Sequence, residues 1–357
     1  MITLDGSYGE GGGALVRTAL ALSTLTQQPC TITNIRAGRD QPGLKSQHLT
    51  IINALKVMSG AQTNDITLGS TNLEFTPGKI KKGIYQFDIG TAGSISLFLQ
   101  GVLPCCLFAP GKITLKIKGG TGGKWQSPVD FTQHILFPYL ERFAEKIDCK
   151  ILQRGYYPIG GGLVEVSITP KYAPADILDF LSTPLISPFV ATHRGPLEQI
   201  RGIINISAQL AEKQIAERIE KTARLSLAQH DVPISLRCEY AQTPSIGGEI
   251  ILWALCQHPG STTPCILSYN ELIEKEKTAE QVATKAVQGL NSELNSTNAV
   301  DQFLIDQLVV YMAFLPGSRI AYAPITEHAK TNIHVIEQFL PVTFVHEKGI
   351  LETQPRR

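Results

Sequence analysis

Ile2-Thr3-Leu4-Asp5-Gly6-Ser7-Tyr8-Gly9-Glu10-Gly11-Gly12-Gly13-Ala14 is the stretch from which the rest of the chain is read. Ile2 to Leu4 predicts a short strand, the glycines a loop, and Ala14 to Leu25 a helix. Glycine lets backbone N–H groups come close to a ligand, and the start of a helix adds partial positive charge. Such a junction suits an anion. Glu10 is the odd member, because a carboxylate repels phosphate unless a divalent metal lies between them. With Arg17, Arg36 and Arg39 nearby, the expectation is a metal-bound polyphosphate.

Two other glycine readings fail on their neighbours. Gly9-x-Gly11-x-x-Ala14 fits a dinucleotide-binding fingerprint, which calls for an acidic residue at the end of the second strand. Here that strand, Cys30 to Ile35, ends in Arg36, and the chain beyond it does not repeat βαβ. Gly119-Gly-Thr-Gly-Gly123-Lys124 approaches a P-loop but is one residue short, and Trp125 stands where a magnesium-binding Ser or Thr belongs.

The chain has 357 residues and a formal net charge of +1. It is long enough for two domains, and it offers no global basic field for nucleic acid. Contact with a nucleic acid should therefore be local, with a shallow salt dependence. Seven cysteines without a C-x-x-C pair, two of them adjacent in an apolar run at 105 and 106, read as free thiols in a reducing compartment. No apolar run is long enough to span a membrane and no signal sequence is seen, so a cytoplasmic protein is expected. His134, His193, His230, His258, His334 and His346 form no metal-ligand spacing, which argues against structural zinc.

Residues 1–79 read strand, Gly loop, helix, strand, Arg/Gly loop (36–43), helix, then two short strands; residues 84–170 repeat that order. Each unit is βαβαββ, which predicts a mixed sheet with helices on one face. The second unit includes a helix from Val129 to Ile147 and strands near 149–154 and 163–169. A compact α+β segment, 180–276, interrupts the pattern. A third unit then resumes with helices Thr278 to Leu290 and Asp301 to Phe314, a strand to Ala323, a loop to 331 and a helix 332–340. The fold class is α/β (α+β): three βαβαββ repeats, with a discontinuous core (1–179 and 277–357) and a smaller inserted domain.

Several ordered motifs complete the pattern: Glu10-Gly-Gly-Gly, Arg36-Ala-Gly-Arg39, Pro42-Gly-Leu-x-x-Gln-His48, Gly119-Gly-Thr, Gly155-Tyr-Tyr-Pro-Ile-Gly-Gly-Gly162, Asp306-Gln307, and Thr326-x-His328-x-x-Thr-Asn332. Together they resemble the RNA 3′-terminal phosphate cyclase family, from residue 1 to about 345 and most weakly over the insert. The resemblance implies a cyclase core of three repeats with an inserted domain. It implies ATP as cosubstrate, Mg²⁺ or Mn²⁺, and an RNA 3′-phosphate end as partner, converted to a 2′,3′-cyclic phosphate through a histidine–AMP intermediate.

By position, the resemblance makes His328 the nucleophile and Glu10 the metal ligand. It places Gly11, Gly12, Gly13, Arg17, Gln100, Pro128, Phe303, Asp306 and Gln307 around the nucleotide, and Arg36, Arg39 and His48 on the substrate phosphate. Chemistry agrees: neutral imidazole is a good nucleophile, and its phosphoramidate splits one hard transfer into two easier ones. Ala14 stands where relatives often carry Gln, and Phe303 replaces a frequent Tyr. Taken singly, these residues also have plain readings. A loop histidine is usually solvated, Arg17 is an ordinary helix residue as readily as a ligand, and Thr331 and Asn332 are suited to cap the next helix. A cyclase-like protein acting in ribosome assembly without catalysis is the alternative, as is a transferase of similar repeats. The His328 motif argues against both. A homo-oligomer is compatible with the sequence.

Overall fold

A computed structural model describes residues 1–9, 11–90, 92–124, 126–174, 177–182, 185–258, 260 and 263–356. The first unit comprises β1 (Ile2–Asp5), α1 (Gly13–Thr26), β2 (Cys30–Thr33), α2 (Ser46–Ser59), β3 (Gln62–Thr63) and β4 (Leu73–Thr76). Its sheet runs β1-β2-β4-β3, with β1 and β2 parallel and the other pairs antiparallel. The second unit has β5 (Gly83–Asp88), α3 (Ile95–Leu107), β6 (Ile113–Gly119), a helical run containing α4 (Val129–Phe131) and α5 (Phe137–Leu140), then β7 (Ala144–Gln153) and β8 (Gly162–Pro170). Its sheet, β5-β6-β8-β7, has the same order and pairing sense.

After α6 (Ile177–Ser182) and β9 (Val190–Ala191) the chain leaves for the insert: β10 (Leu197–Ser207), α7 (Ile215–Leu227), β11 (Ile234–Ala241), β12 (Gly248–Cys256), β13 (Cys265–Leu272) and α8 (Ala279–Asn295). It returns with α9 (Gln302–Met312), β14 (Arg319–Ala321), α10 (Glu327–Phe339), β15 (Val342–Glu347) and β16 (Ile350–Pro355). With β9 these close a third sheet in the order β9-β14-β16-β15, parallel at β9–β14 and antiparallel elsewhere. This is the mixed α/β architecture that the sequence repeat predicts.

The largest apolar cluster joins all three units, and α3 lies at its centre. The run Ile95 to Leu107 has no polar face, as a helix buried all round requires. The Ser94 hydroxyl caps it by accepting the Leu97 N–H at 3.1 Å. A second cluster is built on the insert sheet by α7 and by α8, from Ala279 to Leu290. Helix α8 thus covers the insert sheet, although the sequence pattern ends the insert at 276. Helix α8 is amphipathic, and its own sequence does not say which sheet its apolar face covers.

Two local expectations change. The helix expected through Ile147 stops at Phe143, and Ala144–Gln153 is a strand paired along its length with β8. Pro138 cannot donate a helical hydrogen bond, and Thr132–Leu136 widens to a π-turn; strand pairing then takes over. The second change is that α10 begins at Glu327, not at 332. Thr326 caps it, accepting the Ala329 N–H at 3.0 Å, so His328 lies in the first helical turn and Thr331 and Asn332 lie inside the helix.

All seven cysteines are free, and six are buried. Among the described residues no helix is long and apolar enough to cross a membrane.

Candidate active site

The first sheet delivers two loops from the carboxyl ends of its parallel strands. After β1, Asp5 accepts from the Ser7 N–H (3.0 Å) and the Ser7 hydroxyl (2.7 Å), folding the chain back on itself. Gly9 and Gly11 then take φ of 63° and 55°, a region that favours glycine. A β-carbon on Gly9 would lie 2.5 Å from the Thr331 hydroxyl of α10. One on Gly13 would lie 2.3 Å from His48 Nε2 and 3.0 Å from Arg17 Nη1, and one on Gly12 would lie 3.5 Å from Arg39 Nη2. The missing side chains therefore allow α10, α2 and the arginines to close on one stretch of backbone. Gly12 is the residue preceding α1 and gives it no side-chain cap, leaving the first-turn N–H groups of the helix for a ligand. Glu10 lies outside the described residues.

The charges are arranged unusually. Arg17 is buried, no carboxylate pairs with it among the described residues, and burial lowers its pKa to about 10. The Nε of Arg36 is buried without a described hydrogen-bond partner, and burial together with the Arg39 charge lowers its pKa. His48 is buried, and its Nδ1 accepts the Lys45 N–H at 3.0 Å. Its pKa is pushed down to about 3, first by burial and then by Arg17, Arg36 and Lys45. His48 is thus neutral, and with Nδ1 accepting, its proton sits on Nε2 at the Gly13 backbone. Buried cations without acids are costly, and an anion lowers that cost.

Helix α10 lies against this loop. Tyr8 stacks on His334 (centroids 3.8 Å apart, planes at 15°), and Thr331 meets Gly9. His328 is exposed and stands three residues before Thr331, hence on the same helix face. The Thr326 hydroxyl also bonds Asp306 Oδ1. Asn332 ties three helices together: it accepts from Thr18 of α1 at 2.8 Å and donates to the Asp306 carbonyl of α9 at 2.7 Å.

Where α1, α3, α9 and α10 meet, a cavity of about 30 Å³ is walled by residues including Ala14, Arg17, Gln100, Asp306, Gln307 and Asn332. Four residues expected around a nucleotide thus converge from three helices. Ala14, the departure noted in the sequence, is on the wall. Phe303 instead packs on the main apolar cluster. Pro128 precedes α4 in the second unit, where the neighbouring Val129 N–H donates to Thr121 O at 2.9 Å. Neither Phe303 nor Pro128 lines the cavity. Sequence reasoning missed Thr18, Val310 and Tyr311. Thr18 comes one helical turn after Ala14, a spacing that could have revealed it. No cluster of three or more potential metal ligands occurs among the described residues.

The comparisons with known proteins agree on one family. A family model described as RNA 3′-terminal phosphate cyclase matches residues 8–346. A protein of that name from Thermococcus onnurineus is 39% identical over 353 residues, covering 99% of this chain and 97% of its own. Another from Pyrococcus furiosus is 37% identical over 356 residues, with 99% and 97% covered. One from Ignicoccus hospitalis is 36% identical over 357 residues, with 98% and 96% covered.

Proposed function

The chain belongs to the RNA 3′-terminal phosphate cyclase family, and from that premise we propose that it converts an RNA 3′-terminal phosphate to a 2′,3′-cyclic phosphate at the expense of ATP. His328 attacks the α-phosphorus; an N–P bond forms as the bond to pyrophosphate breaks, and the imidazole carries AMP. An oxygen of the RNA 3′-phosphate then displaces the histidine, giving RNA-(3′)pp(5′)A. The vicinal 2′-OH attacks the 3′-phosphorus, AMP leaves, and the hydroxyl proton passes to solvent.

The observation that carries this reading is Arg17, buried at the Gly loop with no carboxylate partner among the described residues, with Arg36 and neutral His48 beside it and the helix bearing His328 against the loop. Arg17 and the Gly12–Gly13 backbone are suited to the triphosphate, where preorganised positive charge favours the transition state. The Gly11 N–H donates to Tyr8 O at 3.1 Å, and its place there rests on the resemblance. Arg36, Arg39 and the Nε2–H of His48 are suited to the RNA phosphate. Gln100, Asp306 and Gln307 are suited to the nucleoside. For Pro128 and Phe303 the support is the family resemblance alone. Glu10 is proposed to hold Mg²⁺ or Mn²⁺, which would draw charge from phosphate oxygens; this too rests on the resemblance.

Incubation with α-labelled ATP and Mg²⁺ or Mn²⁺ tests the proposal. The protein should acquire acid-labile, alkali-stable label, and His328→Ala should acquire none. Equal label on the variant would remove His328 from the reaction.

A further inference from the structure

A strand whose 3′-phosphate sits at Arg36, Arg39 and His48 must leave across some surface, and one edge of the second sheet adjoins that end. Strands β5, β6 and β7 point the same way, because β5 pairs parallel with β6 while β8 is antiparallel to both β6 and β7. The loops after these strands therefore share one edge. They are joined: Gly120 N–H donates to Gly93 O at 2.7 Å, and Thr121 N–H donates to Gly155 O at 2.9 Å. At the near end, Gln47 of α2 donates to Ser94 O at 3.2 Å, and its neighbour is His48. From β5 to β7 is three strand spacings, about 14 Å.

At the far end the turn after β7 displays Tyr157 with 78% of its surface exposed and Ile159 with 58%. The turn is held firmly. Gly160 N–H donates to Tyr156 O at 2.8 Å, and a β-carbon on Gly155 would meet Gly162 N at 2.2 Å. The insert braces it: Ile159 N–H donates to Ser245 Oγ at 3.1 Å, beside Ile246, which is 62% exposed. An aromatic ring turned to solvent on a well-held turn contributes little to folding.

We propose that RNA 5′ of the reacting end runs along this edge and stacks a base on Tyr157. The proposal rests on the cyclase reading, which puts an RNA end at the near side. Single strands are held by base–aromatic stacking together with phosphate contacts. A net charge of +1 leaves little for a basic track, so stacking carries the upstream part. The nearby Lys124 is already paired, at 2.6 Å, with Glu274 of the insert. The insert acquires a role here: its Ser245 and Ile246 complete the platform.

Binding of a fluorescent ten-nucleotide RNA 3′-phosphate and of a dinucleotide 3′-phosphate should be compared for wild type, Tyr157→Ala and Tyr157→Trp. Tyr157→Ala should weaken the longer RNA about tenfold, within the range for one lost stack, and leave the dinucleotide unchanged; Tyr157→Trp should restore binding. Equal loss for both lengths, or no loss for either, overturns the path. So does a change of oligomeric state on sedimentation, which would make the patch an interface between copies. Labelling by ATP keeps the two proposals apart. Normal labelling with unaltered RNA binding ends the path and leaves the enzyme. A length-dependent binding loss without any labelling does the reverse.

Discussion

The first and second units share one topology yet treat buried arginine in opposite ways. Arg17 in α1 and Arg36 after β2 have their pKa lowered first by burial, and Arg17 pairs with no acid among the described residues. Arg154, just after β7 in the second unit, is buried too. It makes two bonds to Asp130, at 2.7 and 2.9 Å, and a third to Glu239 of the insert at 2.7 Å. Those carboxylates outweigh its burial and raise its pKa. A compensated arginine is structural, here fastening the insert to the core. An uncompensated one is suited to an anion from outside, the role proposed for Arg17. Units of one topology thus hold buried arginine in two ways, one joined to carboxylates and one without them among the described residues.

The largest effect should come from breaking the joint. Asp130→Ala leaves Arg154 buried with only Glu239, and should cost about 3–5 kcal/mol in urea unfolding. A loss below about 1 kcal/mol would show that the triad is not what holds the guanidinium.

A third buried charge sharpens the comparison. Glu249 of β12 is fully buried, and burial lifts its pKa to about 8, with Asp130 adding to the rise and Arg154 and Asn205 opposing it. Burial outweighs the opposing pull of Arg154, so the group is mostly protonated at neutral pH in the folded state. Between about 4.5 and about 8 the unfolded chain ionises this group while the folded chain does not. Stability should therefore fall as pH rises through that window, by up to roughly 1.4 kcal/mol per pH unit from this group. Glu249→Gln should flatten that part of the profile, as read from urea midpoints at pH 5, 6.5 and 8. An unchanged slope would place the titration elsewhere.

Much of the fold was legible because the sequence repeats its punctuation: glycine loop, helix, strand, loop, helix, two strands. Local pattern failed where tertiary pairing decided. Residues 144–147 fit the helix period, but β8 claims them as strand. The start of α10 was read too late because Thr326, its cap, looked like loop. In the site, the family resemblance implies Arg17, Gln100, Asp306 and Gln307 around the nucleotide, and the structure brings all four to one cavity. The Thr18–Asn332 bond was not legible, since it joins residues 314 positions apart. Nor was the burial of Arg17 without a carboxylate pair among the described residues, which depends on what packs there.

The smallest effect on stability, and the most direct test, belongs to Arg17. ATP titration in a His328→Ala background, which prevents covalent transfer, should be compared with and without Arg17→Met, alongside urea midpoints of both proteins. The predicted result is ATP binding at least tenfold weaker, about 1.4 kcal/mol, with stability unchanged or higher because a buried charge without an acid partner among the described residues has gone. Unaltered ATP affinity in a protein destabilised by several kcal/mol would contradict it, because Arg17 would then behave as Arg154 does.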